Sequence, residues 1–229
     1  MEKVCIFPIC GSASRIGNIP KFLLPISNNN TLLLNSINNT IHSGFKVLII
    51  TTPDYSNIIY NYLKNKIKNF SLFIKINITE TNNMSETMLF NNYLDNNIYG
   101  LIMPDTYFIY ENNLKKMYDI FIQDKCSVVL GIFKIRNEQK GKLGQVLFDE
   151  NNNVIDIIDK DEKCNYEWAW GCIIFNNKLT KFFNKNDSHI GYSLKPYIQS
   201  GNTIKVCKFD NLYYDCGTFN EYKNLLTIL

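Results

Sequence analysis

Short apolar runs alternate with helical patterns along the first half of the chain, and this alternation sets the fold. The runs at 4–9, 46–51, 71–76 and 100–103 are apolar and bounded by turn residues, as buried strands are. Between them, 31–43 places Leu33, Leu34, Ile37 and Ile41 on one helical face, and 55–68 does the same with Ile58, Ile59, Tyr62, Leu63 and Ile67. A further helix is predicted over 84–94, and a shorter one over 114–123. A helix between two strands is the usual crossover of a parallel pair, so the chain is expected to form an α/β, Rossmann-like sheet with helices on both faces. Strands at 127–134, 145–149, 172–176 and 203–208, a short helix over 192–200 and turn-rich stretches such as 149–153 extend that sheet and make it mixed, though mostly parallel. With 229 residues, 45% of them hydrophobic, and no Pro- or Ser-rich linker, a single domain over 1–229 is expected.

The composition excludes several classes of function. Twenty-four basic against 21 acidic residues leave a net charge of +3, too little to suggest a nucleic-acid partner. No apolar run reaches the length of a membrane span, and the apolar start is broken by Pro8 and Gly11, so a cytoplasmic protein without a membrane partner is expected. Seven cysteines at irregular spacing read as reduced thiols. No CxxC, HExxH or Cys/His cluster is present to hold zinc. His42 and His189 are the only histidines, and neither lies in a nucleophile motif.

The stretch FPICGSASRIGNIPKFLLPI, from Phe7 to Ile26, carries the first chemical signal. A strand breaks into the small residues Gly11, Ser12, Ala13 and Ser14, whose backbone N–H groups can approach an anion. Arg15, one of only two arginines, and the pair Pro20–Lys21 follow. A P-loop is excluded because no Gly-Lys stands at the required spacing from Gly11. A dinucleotide GxGxxG loop is excluded because Ala13 and Ile16 hold the later glycine positions.

Segments from Val4 to Tyr222 together resemble the sugar-1-phosphate nucleotidyltransferases, the nucleotide-sugar pyrophosphorylases, in a short form without a C-terminal repeat domain. The loop from Ile9 to Ile16 with Pro20–Lys21 is similar to their signature loop, with Cys10 and Ala13 in place of two glycines. Leu101–Ile102–Met103–Pro104–Asp105 resembles their metal-aspartate strand, and Leu143 to Asp149 with Val154 to Lys160 their acceptor hairpin. Trp170 to Phe175 resembles a later strand, and Tyr214–Asp215–Cys216–Gly217–Thr218 the second metal motif. The resemblance implies a GT-A-like fold, with a nucleotide-binding half at about 1–125 and an acceptor-binding half at 126–229. It implies catalytic roles for Arg15 and Lys21, and nucleotide contacts from Cys10, Gly11, Ser12, Ala13 and Ser14. Ser85 and Glu86 would cap a helix beside the ribose. Acceptor contacts would come from Gly144, Asp159, Lys160, Trp170 and Gly171, with Asp159 in place of the usual Glu. Asp105 and Asp215 would hold Mg2+. The implied partners are UTP, dTTP or CTP and a phosphorylated sugar or small molecule, and a homo-oligomer is compatible with them.

The implied reaction suits this composition. A phosphate monoester has a second pKa of about 6, so the acceptor arrives largely dianionic and needs no general base. Catalysis then rests on positioning and on neutralising charge between two polyanions, for which cations and a metal suffice. Three other readings stay open at this stage. They are a cytidylyltransferase acting on a phosphocholine-like acceptor, a silent nucleotide-binding domain, and a glycosyltransferase, although the D-x-D pattern usual in the last is absent around Asp105.

Overall fold

The computed structural model describes residues 1–11, 19–108, 113–210 and 212–229. In chain order, β1 (Lys3–Ile9) is followed by the small pair β2 (Pro25–Ser27) and β3 (Asn30–Thr31), α1 (Leu32–His42), β4 (Lys46–Thr51) and α2 (Pro53–Lys64). Next come the single turn α3 (Phe70–Phe73), β5 (Ile74–Ile78), α4 (Met84–Leu89), β6 (Ile98–Ile102), β7 (Thr106–Phe108) and α5 (Asn113–Gln123). The rest comprises β8 (Val128–Lys134), β9 (Gly144–Phe148), β10 (Val154–Asp159), β11 (Trp168–Phe175), α6 (Asn177–Thr180), α7 (Leu194–Gln199), β12 (Lys205–Phe209), β13 (Tyr213–Asp215) and α8 (Phe219–Leu226).

Among the described residues nine strands form one sheet, in the order β10-β9-β11-β6-β1-β4-β5, with β8 on β11 and β12 on β8. β1 lies parallel to both β4 and β6, and β4 parallel to β5, as the helical crossovers require. β11 reverses direction against β6 and carries β8 along its other edge. Its β6 edge is shared, because β6 pairs with Cys172–Phe175 whereas β9 pairs with Trp168 and Ala169. The sheet therefore forks at Trp170–Gly171, where the pairing with β8 also slips by one residue. A slip of this kind bends the strand and opens the ladder.

Alternation along β1 divides the core. Phe7 and Ile9 face Leu33, Ile37, Ile59, Met117 and Phe121, contributed by α1, α2 and α5. Ile6 faces the layer of Met88, Leu179, Leu194 and Tyr197 from α4, α6 and α7. Both faces of the sheet are thus covered, which is why its strands read as unbroken apolar runs. Thr31 caps α1 by accepting the Leu34 N–H at 3.2 Å, and Pro53 opens α2.

Three predicted elements are corrected. The strand expected at 71–76 begins only at Ile74, because Asn69 adopts a left-handed conformation (φ 57°) and starts the turn Phe70–Phe73. The helix expected over 84–94 ends at Leu89. The helix expected over 192–200 opens as the 3-10 turn Ile190–Ser193 before α7. No helix among the described residues is long and apolar enough to cross a membrane. All seven cysteines are free. Burial pushes the thiols of Cys126 and Cys207 up to about 11 and those of Cys5 and Cys172 higher still, so these four are protonated at neutral pH.

Candidate active site

The site forms where β1 and β6 end and the fork in β11 begins, at the strand edge where open α/β sheets receive ligands. Leaving β1, Ile9 and Cys10 are tied to β4. The Thr51 hydroxyl donates to Ile9 O at 3.0 Å, and Cys10 Sγ lies 3.5 Å from Ile50 O. A side chain at Gly11 would meet nothing within 4 Å, so its backbone faces open space. Ser12, Ala13, Ser14 and Arg15 lie outside the described residues.

Lys21 sits in the 3-10 turn Lys21–Leu23, anchored by buried Phe22, whose ring meets Tyr55 edge-on at 5.4 Å. Its Nζ stands 4.0 Å from Asp105 Oδ2, with side-chain exposures of 15% and 21%. Gly11, Lys21, Tyr55, Pro104 and Asp105 line a small cavity of about 110 Å3. The separation of Lys21 from Asp105 is at the outer limit of an ion pair.

Asp105 follows β6, and the chain then turns into β7, which pairs with β13 so that Thr106 faces Asp215. The Cys216 N–H donates to Asp105 O at 2.9 Å, which places the two aspartates on adjoining backbone. Asp215 Oδ1 accepts the Gly217 N–H at 3.0 Å. The fields of the two carboxylates overlap. Burial first, then Asp105 and Asp215, push the Cys216 thiol well above its ordinary range.

β13 is held by residues not foreseen from sequence. Arg136 Nη1 and Gln139 Nε2 both donate to Tyr213 O, at 2.8 and 3.0 Å. Arg136 Nη2 pairs with Glu221 Oε2 at 2.5 Å, and the guanidinium lies 4.3 Å over the Tyr214 ring. Desolvation would lower the Arg136 pKa, but Glu138 and Glu221 together outweigh it and raise it. Replacing Arg136 with Met leaves the Glu221 side chain, 16% exposed, without its cation. The expected cost is about 2 kcal/mol, below that of breaking a fully buried pair, together with a turnover loss beyond the loss of folded protein. Urea unfolding and activity assays check this, and unchanged stability would refute the clamp.

On the other side, Leu143, Lys160, Asp215, Gly217 and Thr218 line a cavity of about 400 Å3. Lys160 is held at φ 51°, a left-handed conformation uncommon for a non-glycine residue, and its N–H donates to Leu143 O at 3.2 Å. Asp159 faces Gly144 across the β9–β10 pair. A Cβ on Gly144 would fall 2.2 Å from Trp170 Nε1 and 3.0 Å from Asp159 Oδ1, so only glycine fits there. Gly144, Asp159, Lys160, Trp170 and Gly171 therefore gather at the fork.

The capping role expected of Ser85 and Glu86 is corrected. Asn83 caps α4 by accepting the Glu86 N–H at 2.8 Å, because it, and not Ser85, stands just before Met84. Ser85 is fully buried inside the helix, and the Glu86 carboxylate reaches back to the Asn82 N–H at 2.7 Å. Sequence reasoning also assigned no role to His189, whose Nε2 lies 2.8 Å from Asp159 Oδ2. The signal available for Arg136 and His189 was rarity, since each is one of only two of its kind.

The sequence matches the family model described as Nucleotidyl transferase over residues 16–227. No curated protein matches it. Among solved structures, the chain is similar to a UDP-glucose pyrophosphorylase solved with UDP-glucose, with a TM-score of 0.80 at 18% identity over 100% of this chain and 98% of that one. It is also similar to a protein from Bacillus anthracis described as a glucose-1-phosphate thymidylyltransferase and solved with sucrose. That match has a TM-score of 0.85 at 14% identity, over 99% of this chain and 94% of the other.

Proposed function

The chain belongs to the nucleotidyl transferase family, and on that premise we propose that it transfers a nucleotidyl group from UTP, dTTP or CTP to a sugar 1-phosphate, releasing pyrophosphate. One observation carries the reading. Lys21 and Asp105 line one cavity, Asp215 and Lys160 line another, and backbone pairing joins Asp105 to the Asp215 strand. Cations and carboxylates thus line both cavities, which supports a site for a donor and an acceptor phosphate.

In this reading an acceptor phosphate oxygen attacks the α-phosphorus. The bond from that phosphorus to the bridging oxygen breaks, and the electron pair leaves with pyrophosphate. No proton has to move, in keeping with a site without a histidine base at the phosphates. Lys21 balances the charge that builds at the α-phosphate, and Arg15 holds the β- and γ-phosphates. Cys10, Gly11, Ser12, Ala13 and Ser14 present backbone to the nucleotide, while Ser85 and Glu86 flank its ribose side. Lys160 holds the acceptor's phosphate, with Gly144, Asp159, Trp170 and Gly171 around its body. The donor half ends near residue 125, and the protein works in the cytoplasm.

Asp105 and Asp215 fit a divalent ion. They are two hard oxygen donors on adjoining backbone, and no group of three or more metal-ligating side chains gathers among the described residues. Such a pair leaves positions for substrate phosphates, as Mg2+ prefers. When bound, the ion would neutralise phosphate charge. The test follows pyrophosphate release with each NTP and dTTP against hexose 1-phosphates and phosphocholine in the presence of Mg2+. Release with a pyrimidine NTP and one sugar 1-phosphate is expected. Release with phosphocholine alone, or with no acceptor, would overturn the proposal.

A further inference from the structure

We infer that His189 is a specificity-determining residue that reads a sugar hydroxyl of the acceptor together with Asp159 and Trp170, an inference that rests on the reading of the fork as an acceptor site. His189 stands just before the turn Ile190–Ser193, and its Nδ1 accepts the Gly191 N–H at 3.2 Å. That bond puts the ring hydrogen on Nε2. Nε2 points into the acceptor cluster, 2.8 Å from Asp159 Oδ2. The ring is fixed by stacking on Tyr192 at 4.6 Å. Trp170 closes the group, because a Cβ on Gly191 would lie 2.8 Å from His189 Nδ1 and 3.0 Å from Trp170 Cζ2.

Three buried polar atoms lie in this cluster, and two of them, His189 Nε2 and Asp159 Oδ2, stand 2.8 Å apart. Trp170 Nε1, His189 Nε2 and Asp159 Oδ2 are buried and make no aligned hydrogen bond with any described residue, even though the last two are close to each other. The side chains of Asp159 and His189 are only 8% and 13% exposed. Buried polar atoms are ordinarily paired, and an unpaired set within one cluster marks a place built for a ligand's polar groups. Two N–H donors and a carboxylate acceptor match hydroxyls, each of which both gives and takes a hydrogen bond.

The location fits the same ligand. Asp159 directly precedes Lys160, which lines the cavity beside Asp215. A quaternary ammonium has no atom that could accept from the two N–H donors, so these donors favour a hydroxylated acceptor.

Two variants separate recognition from the structural role of His189. His189→Asn keeps a side-chain acceptor for the Gly191 N–H but loses the Nε2 donor. His189→Gln keeps a donor at similar reach but loses the cap. Calorimetry with glucose, galactose and mannose 1-phosphates and with phosphocholine is run on the wild type and both variants. The wild type is expected to bind at least one hexose 1-phosphate, His189→Asn to bind it about tenfold more weakly, and His189→Gln to stay within about threefold, with UTP, dTTP and CTP affinities unchanged in all. A deoxy analogue of the preferred sugar should bind wild type and His189→Asn alike. Unchanged hexose phosphate affinity in His189→Asn, equal loss in both variants, binding of phosphocholine alone, or no hexose phosphate binding at all would each overturn the inference. If hexose phosphate binds as expected but pyrophosphate is never released, it is nucleotidyl transfer that fails and the assignment of His189 stands.

Discussion

Asp105→Asn is expected to lower turnover at least about a hundredfold while the protein stays folded. The backbone carbonyl of Asp105 accepts the Cys216 N–H, and asparagine keeps that bond. What the change removes is a carboxylate charge 4.0 Å from Lys21 Nζ, on the backbone that adjoins Asp215. Loss of one preorganised charge at a phosphoryl centre typically costs about a hundred- to a thousandfold. Two measurements check the expectation. Pyrophosphate release should collapse in the variant, and thermal unfolding should stay close to that of the wild type. In parallel, EDTA should abolish wild-type release and excess Mg2+ restore it. Undiminished release in EDTA would remove the metal from the proposal. A variant that retains its activity would remove Asp105 from the site.

The parallel half of the fold was legible because its strands are buried on both faces. β1 and β4 appear in the sequence as unbroken apolar runs, and α1 and α2 between and beside them keep helical spacing. The misplaced start of β5 has a local cause, a left-handed Asn69 that no periodicity reveals. The fork at Trp170–Gly171 has a non-local cause. It exists because β6 and β9 share one edge of β11, and no pattern within residues 168–175 encodes which partner takes which end. The same holds for the Arg136 clamp, whose partners on β13 and α8 lie far along the chain. Asp105 and Asp215 were legible only through the family resemblance, since β7 and β13 are too short to announce their pairing. The loop carrying Arg15 lies outside the described residues, so its role rests on the resemblance and on the site that Cys10, Gly11 and Lys21 frame.

Lys21 and Lys160 should fail in different ways. Lys21→Ala is expected to depress kcat far more than it raises the acceptor KM. If Lys21 meets charge that grows at the α-phosphate, the lost contact is one that strengthens in the transition state, worth roughly 3 kcal/mol or on the order of a hundredfold. Phe22 remains buried against Tyr55, so the turn should keep its place. Lys160→Ala is expected chiefly to raise the acceptor KM, because a phosphate held alike in ground and transition states contributes to binding and not to kcat. The substitution is clean in one respect. At φ 51° alanine bears much the same backbone penalty as lysine, so the kinetic change reports the ammonium and not relief of strain. Steady-state kinetics on both variants, with NTP affinity measured by calorimetry, distinguishes the two roles. Equal losses of NTP affinity would mean that the two cavities do not divide donor from acceptor, and the placement of Asp159, Trp170 and His189 around the acceptor would fall with that division.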